Sequence, residues 1–158
     1  MKENIEIKQS EIAIYTDGSC KGNPGPGGYA GLILHKDGSE EVIKGSSLDT
    51  TNNRMELKAV IETLKVLKKS TEVVLYSDSE YCIKAINERL SKWIKNNWKG
   101  SNKNRVKNID LWQEYLEVSN IHTIKGIWIK AHSGDEYNEL VDSIAKEEAL
   151  KIKGWVYE

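Results

Sequence analysis

Four acidic residues occupy places where a carboxylate is costly. Asp17 closes the apolar run Ile12–Thr16, and Asp78 closes a second, Val73–Ser77. Asp is depleted in strands, and a charge at the end of a core strand must be paired or bind a metal. Glu56 lies four residues before Val60, at the edge of a helical apolar stripe, and Asp142 follows Val141 and stands four residues after Asn138. Asp17 is the least easily dismissed; the other three each have an ordinary alternative. Glu56 has capping-box spacing from Asn53, Asp78 can cap a helix beginning at Ser79, and Asp142 can be a solvated helix acid. Together they are the ingredients of a hard-cation site, because Mg²⁺ takes carboxylate and water oxygens. Without a cation, clustered acids repel one another and one or more must bind protons more tightly. Asp17 is the expected central ligand.

The elements that would position these acids are legible from periodicity. Glu11 to about Asp17 reads as a buried strand. Ser19–Gly28, SCKGNPGPGG, reads as a loop, since Gly and Pro break regular structure. Tyr29–His35 and Glu41–Lys44 form a hairpin about Asp37-Gly38. Thr51–Lys69 is the clearest helix, with Leu57, Val60, Ile61, Leu64 and Leu67 on one face. A strand over Glu72–Ser77, helices over Ser79–Glu88 and Ile109–Leu116, a strand over Thr123–Lys130 and a helix over Tyr137–Ile152 complete the order. Strands alternating with helices imply parallel, right-handed crossovers. The expected fold is α/β: a mixed five-stranded sheet, three antiparallel strands and then two parallel, flanked by helices. If the first and fourth strands are parallel neighbours, Asp17 and Asp78 come side by side at their carboxyl ends. Tyr15 shares a face with Asp17, and Tyr76 with Asp78.

The 158 residues suit one domain, here 11–158 after a short lead-in, 1–10. Charged residues make up 30%, and no apolar run reaches the length of a membrane span. Cys20 and Cys82, only two and far apart, read as reduced thiols. With no secretory signal in the first ten residues, a cytoplasmic protein is expected. Net charge is −1, yet Arg89, Lys92, Lys95, Lys99, Lys103, Arg105 and Lys107 fall in one stretch without an acid. That stretch suits phosphate contacts. A Walker-type phosphate loop is excluded, because the glycine-rich segment lacks a GK[ST] ending and leads into a strand. Trp112, Trp128 and Trp155 read as packing residues in a chain without Phe.

The strings TDGSCKGNPGPGGYA, TTNNRMEL, YSDSEY and HSGDEYNELVD resemble, in order and spacing, the signature segments of type 1 ribonuclease H. The stretch containing WIKNNWK and VKNIDLW resembles the basic protrusion of the bacterial single-domain members. The resemblance runs from about Ile12 to Ala149. It implies an endonuclease that cleaves the RNA strand of RNA–DNA hybrids by a two-metal mechanism, leaving 5′-phosphate and 3′-hydroxyl ends. By resemblance the metal-ligating acids are Asp17, Glu56, Asp78 and Asp142, holding two Mg²⁺ ions with Mn²⁺ as a substitute. The family's auxiliary loop histidine falls on His132. Asp135 and Glu136 beside it are not counted as ligands. Cys20 and Asn23 would lie along the RNA strand. Thr51 and Asn108 would hold a DNA-strand phosphate, and Asn52 and Asn53 would reach the minor groove. Trp93, Trp98 and Lys99 would meet the DNA strand and flanking duplex. A departure stands at Glu80, where some relatives carry a neutral amide. The partner implied is the hybrid duplex, with no membrane, no obligate protein partner and a monomeric enzyme. Two other readings on this scaffold are disfavoured: a non-catalytic hybrid-binding module would need loss of at least one ligand acid, and all four are present, while the complete signature set and the basic segment argue against another nuclease such as a junction resolvase or exonuclease.

Overall fold

The computed structural model describes residues 11–100 and 102–157, with side chains described as far as 152. The expected lead-in and the Trp155 side chain lie outside the described residues. A single five-stranded sheet has the order β3-β2-β1-β4-β5. Its strands are β1 (Glu11–Cys20), β2 (Gly25–Leu34), β3 (Glu40–Thr50), β4 (Glu72–Ser77) and β5 (Thr123–Trp128). The first three form an antiparallel meander, and β1–β4 and β4–β5 are parallel. The helices are α1 (Asn52–Val66), α2 (Glu80–Lys84), α3 (Leu90–Lys95), α4 (Ile109–Ser119) and α5 (Glu136–Tyr157). A π-helical stretch, Ala85–Arg89, joins α2 to α3. This is the expected mixed sheet.

Period-two alternation divides the core between two faces. Ile14, Ile33, Val73 and Leu75 pack with Leu57 and Leu64 of α1 and with Trp112 of α4. Ala30 and Leu32 face the opposite way and pack with Val141 and Ala145 of α5. Burying such aliphatic side chains contributes about 1.5–3 kcal/mol each, so α1 and α5 are held firmly on opposite sides of β1. Both helices carry an acid of the candidate site, and β1 carries a third between them.

Several boundaries differ from the sequence expectation. The strand β2 begins at Gly25, inside the segment read as loop. Gly27 and Gly28 pair with Cys20 and Ser19 of β1, so the ladder overrides their poor strand propensity. Glycine is required at 28, where any side chain would strike the Ala145 carbonyl and the Ala149 amide of α5. The strand β1 runs past Asp17 to Cys20 because its pairing with β2 continues to Gly27, β3 extends to Thr50, and β5 stops at Trp128. The helix α1 ends at Val66, before the Lys68-Lys69-Ser70 run, whereas α5 continues to Tyr157. Part of the basic segment, Leu90–Lys95, is helical. Trp112 is fully buried, but Trp128 is 45% exposed and is not a core residue.

Candidate active site

The parallel register sets Tyr15 opposite Tyr76, and their rings stack at 4.7 Å with 12° between planes. Two residues further along each strand, Asp17 and Asp78 emerge on the same face. Glu56 reaches them from α1. That approach is possible because residue 18 is glycine: a Cβ there would strike the Met55 carbonyl carbon and the Glu56 nitrogen. The Gly18 amide donates to Glu56 Oε1 at 2.7 Å, latching the helix to the strand end. One carboxylate oxygen from each of Asp17, Glu56 and Asp78 lies within 4.8 Å of the others.

The capping alternatives are not what these acids do. The N-cap of α1 is Thr51, whose hydroxyl accepts from the Arg54 amide at 3.3 Å. The Asn53–Glu56 capping box is not formed, because the helix starts at Thr51 and places Asn53 inside it, and Glu56 accepts from Gly18 instead. Ser79, and not Asp78, caps α2 by accepting from the Cys82 amide at 3.1 Å. Asp142 stands beside Asp17, where its charge and hydrogen bonding raise the Asp17 proton affinity. It also accepts from Lys146 at 3.0 Å and is not one of the tight group of three.

This arrangement is electrostatically unfavourable without a cation. Asp17, only 3% exposed, is pushed up to about 8, chiefly by burial and then by the Asp78 charge and the hydrogen bond with Asp142. Glu56 is held well above the usual carboxylate range by burial and the Asp17 charge, against a lowering by the Gly18 amide. Hard oxygen donors converging from three elements, with protons held too tightly on Asp17 and Glu56, fit a divalent cation.

Two contacts at Asp78 lie outside the expected site. Asn138, 2% exposed, donates through Nδ2 to Asp78 Oδ2 at 3.3 Å. Trp128 donates its indole N–H to the Asp78 carbonyl at 3.1 Å. The spacing of Asn138, four residues before Asp142 on one helix, was the available signal for the first. Nothing local marks the second, which depends on β5 lying next to β4. Asp135 accepts the Asn138 amide at 3.0 Å and so caps α5. His132 occupies the exposed loop before that helix, in left-handed backbone with φ +56°.

The expected substrate residues fall into two groups. Around the start of α1, Asn23 Oδ1 accepts from the Asn52 amide at 2.9 Å, tying the glycine-rich loop to the helix. Asn52 and Asn53 are exposed. The Cys20 thiol is half-buried and donates to the carbonyls of Thr50 (3.3 Å) and Gly25 (3.5 Å). The second group belongs to the protrusion. Trp93 packs edge-on against Trp112 at 5.8 Å, and Trp98 also packs against the core cluster. These rings anchor the segment. All seven of its basic side chains are exposed, and Lys99 forms a β-bridge with Arg105. A cleft of about 590 Å³ runs between Tyr81, Arg89, Trp93, Arg105 and Lys107. Asn108, at φ +62°, ends the protrusion. Glu80 is exposed and pairs with Lys84 at 3.3 Å.

The family profile of RNase H matches residues 9–150. Ribonuclease H of Caldanaerobacter subterraneus subsp. tengcongensis is 54% identical over 152 residues, covering 96% of each chain. Ribonuclease HI of Helicobacter pylori is 52% identical over 141 residues, covering 89% of this chain and 94% of its own. Among solved structures, LC9-RNase H1, described as a type 1 RNase H with the type 2 active-site motif, superposes with a TM-score of 0.81 at 29% identity, covering 90% of this chain and 74% of that one. LC11-RNase H1, solved in complex with RNA/DNA hybrid, shares the fold at a TM-score of 0.63 and 24% identity, covering 89% of this chain and 97% of that one. The matched span includes the whole acidic cluster, and the chain belongs to the type 1 RNase H family of hydrolytic endoribonucleases.

Proposed function

We propose that this enzyme hydrolyses the RNA strand of RNA–DNA hybrids with two divalent ions, leaving 5′-phosphate and 3′-hydroxyl ends. The observation that carries the reading is the convergence of the Asp17, Glu56 and Asp78 carboxylates within 4.8 Å, with Asp142 beside them. Asp17 and Asp78 suit positions shared by both ions; Glu56 and Asp142 would complete one ion each. Mg²⁺ is the proposed ion, with Mn²⁺ able to replace it. The chemistry such ions supply is activation of a water for in-line attack and stabilisation of the departing 3′ oxygen.

The protein's own part is orientation. The stacked Tyr15 and Tyr76 support the strands that carry Asp17 and Asp78, and Asn138 fixes one oxygen of Asp78. The Gly18 amide holds Oε1 of Glu56, and Asp17 shares a hydrogen bond with the same carboxylate in the metal-free site; once Asp17 is ionised, that carboxylate can accept from a ribose 2′-hydroxyl, the group that separates RNA from DNA. His132 is an auxiliary proton carrier beside the departing strand; imidazole takes up and releases protons readily. Cys20 and Asn23 follow the RNA strand. Thr51 and Asn108 hold a DNA phosphate, and Asn52 and Asn53 reach the minor groove. Trp93, Trp98 and Lys99 belong to the protrusion's contact with flanking duplex. We further infer a single catalytic domain acting as a cytoplasmic monomer without an obligate protein partner.

Strand-labelled RNA–DNA hybrid, RNA duplex, DNA duplex and single strands, each with Mg²⁺ or chelator, test the class directly. Cleavage confined to the RNA of the hybrid and abolished by chelator is expected. Cleavage of either homoduplex at a comparable rate would reject the reading. The protrusion is tested by neutralising Lys92, Lys95 and Lys99 to Gln together. KM at about 0.1 M salt is expected to rise roughly tenfold, and the salt slope of hybrid binding to fall by about one for each phosphate no longer neutralised. An unchanged slope would remove the segment from the interface.

A further inference from the structure

Arg54 lies on the first turns of α1, two residues before Glu56, yet its side chain turns away from the carboxylates. Its guanidinium reaches the junction between the protrusion and α4. There Nη1 donates to Asp110 Oδ1 at 3.0 Å and Nη2 to Asp110 Oδ2 at 2.7 Å, a forked pair. Nη1 also donates to Asn108 Oδ1 at 3.2 Å.

That third contact determines which way the Asn108 amide faces. A guanidinium has donors only, so the atom of Asn108 turned to it must be the oxygen. The amide nitrogen then faces the Tyr81 hydroxyl, to which it donates at 3.0 Å. Tyr81 is held in the accepting role from its far side as well, because the Trp112 indole N–H, also a donor only, reaches the same oxygen at 2.9 Å. Reversing the amide would set its NH₂ against the guanidinium, donor against donor. One NH₂ proton of Asn108 is used on Tyr81, and the other has no acceptor among the described residues.

We propose that Arg54 is a positioning residue for the hybrid: it locks the Asn108 amide so that its remaining N–H is presented to a backbone phosphate oxygen. This rests on the reading of Asn108 as a phosphate contact and adds the means by which a neutral, reversible amide is kept as a donor. The same guanidinium ties the helix that carries Glu56 to the base of the protrusion, so the two parts of the binding surface share one fixed point.

The test compares Arg54→Met, Asp110→Asn and Asn108→Ala in the full chain. Binding of a fluorescent hybrid is measured by anisotropy in chelator across a salt series, with steady-state kinetics and melting curves alongside. Arg54→Met is expected to weaken hybrid binding about fivefold, the equivalent of one hydrogen bond. The change should appear in KM with kcat within about twofold, and the salt slope should be unchanged because every charge that touches phosphate is still in place. Asp110→Asn removes the ion pair and keeps an oxygen acceptor for Arg54. It should lower stability about as much as Arg54→Met while leaving hybrid affinity within about twofold of the parent, since one neutral hydrogen bond is retained.

Four results overturn the proposal. Equal weakening by Asp110→Asn would show that the helix-to-helix clamp alone matters. A salt slope reduced by about one in Arg54→Met would mean that Arg54 itself contacts phosphate. Normal affinity in Arg54→Met with weakened binding in Asn108→Ala would leave Asn108 as a contact that needs no orienting. Normal affinity in Asn108→Ala instead removes the phosphate-contact reading, and the proposal with it.

Discussion

Asp17→Asn is expected to lower Mg²⁺-dependent hybrid cleavage by at least about 10³-fold, equivalent to roughly 4 kcal/mol of transition-state stabilisation, and at the same time to make the metal-free protein more stable. The first effect follows from the central place of Asp17 among the carboxylates. The second follows from its raised proton affinity. The group binds its proton at about 8 in the fold against an ordinary 3.8. Between those values the folded state holds more protons than the unfolded state, so stability of the metal-free protein falls as pH rises through the window and levels off above it. Each pKa unit corresponds to about 1.4 kcal/mol. Asparagine keeps the size and removes the charge. Its Tm without metal should exceed the parent's by about 5 °C at pH 8, with little difference near pH 4. The parent should also bind Mg²⁺ more tightly at pH 8.5 than at pH 6 and release protons on doing so. Melting curves and calorimetric titrations over pH check these expectations. A variant that cleaved at near-parental rate, or melted lower than the parent at pH 8, would show that Asp17 is not the electrostatic centre of the site.

Asp17 and Asp78 could be found in the sequence because each breaks a local rule, whereas Glu56 and Asp142, ordinary helix acids when taken singly, joined them through the family resemblance. Asp17 and Asp78 end apolar runs that would otherwise bury a charge, and the alternation linking Tyr15 with Asp17 and Tyr76 with Asp78 follows from strand geometry alone. The mixed sheet followed from the strand–helix alternation, whereas the neighbouring of β1 and β4 entered only as a condition, which the structure meets. What could not be read were contacts set by long-range approach. Asn53 and Glu56 carry an apt capping-box spacing, but the helix starts earlier, at Thr51, and the Glu56 carboxylate accepts from the distant Gly18 amide at 2.7 Å. The glycines of SCKGNPGPGG read as loop because composition argues against a strand; the β1 and β3 ladders and the close approach of α5 to Gly28 reverse that. Arg54 is an ordinary helix residue until Asn108 and Asp110, 54 and 56 positions away, are folded against it. Trp128 reads as core from its strand, yet β5 is the sheet edge, and its indole serves the Asp78 carbonyl instead.

Gly18→Ala carries the second large expected effect, and it separates close packing from backbone conformation. At Gly18 an added Cβ would meet the backbone of Met55 and Glu56. No rotamer change relieves such a clash; either α1 or the end of β1 must move. Moving α1 outward opens the packing around Leu57, Val60 and Leu64, and a shift of this kind costs about 3 kcal/mol or more. It also carries the Glu56 carboxylate away from Asp17 and Asp78, so divalent-ion affinity should fall along with stability. Gly38 supplies the comparison. It sits at φ +89° in the β2–β3 turn, with nothing within 4 Å of an added Cβ. Gly38→Ala should therefore cost only the left-handed conformation, about 1 kcal/mol, and leave ion affinity unchanged. Urea denaturation with calorimetric Mg²⁺ titration of both variants decides the point. If Gly18→Ala lost no more stability than Gly38→Ala and bound Mg²⁺ normally, the close contact of α1 with β1 would not be what holds Glu56 in the cluster.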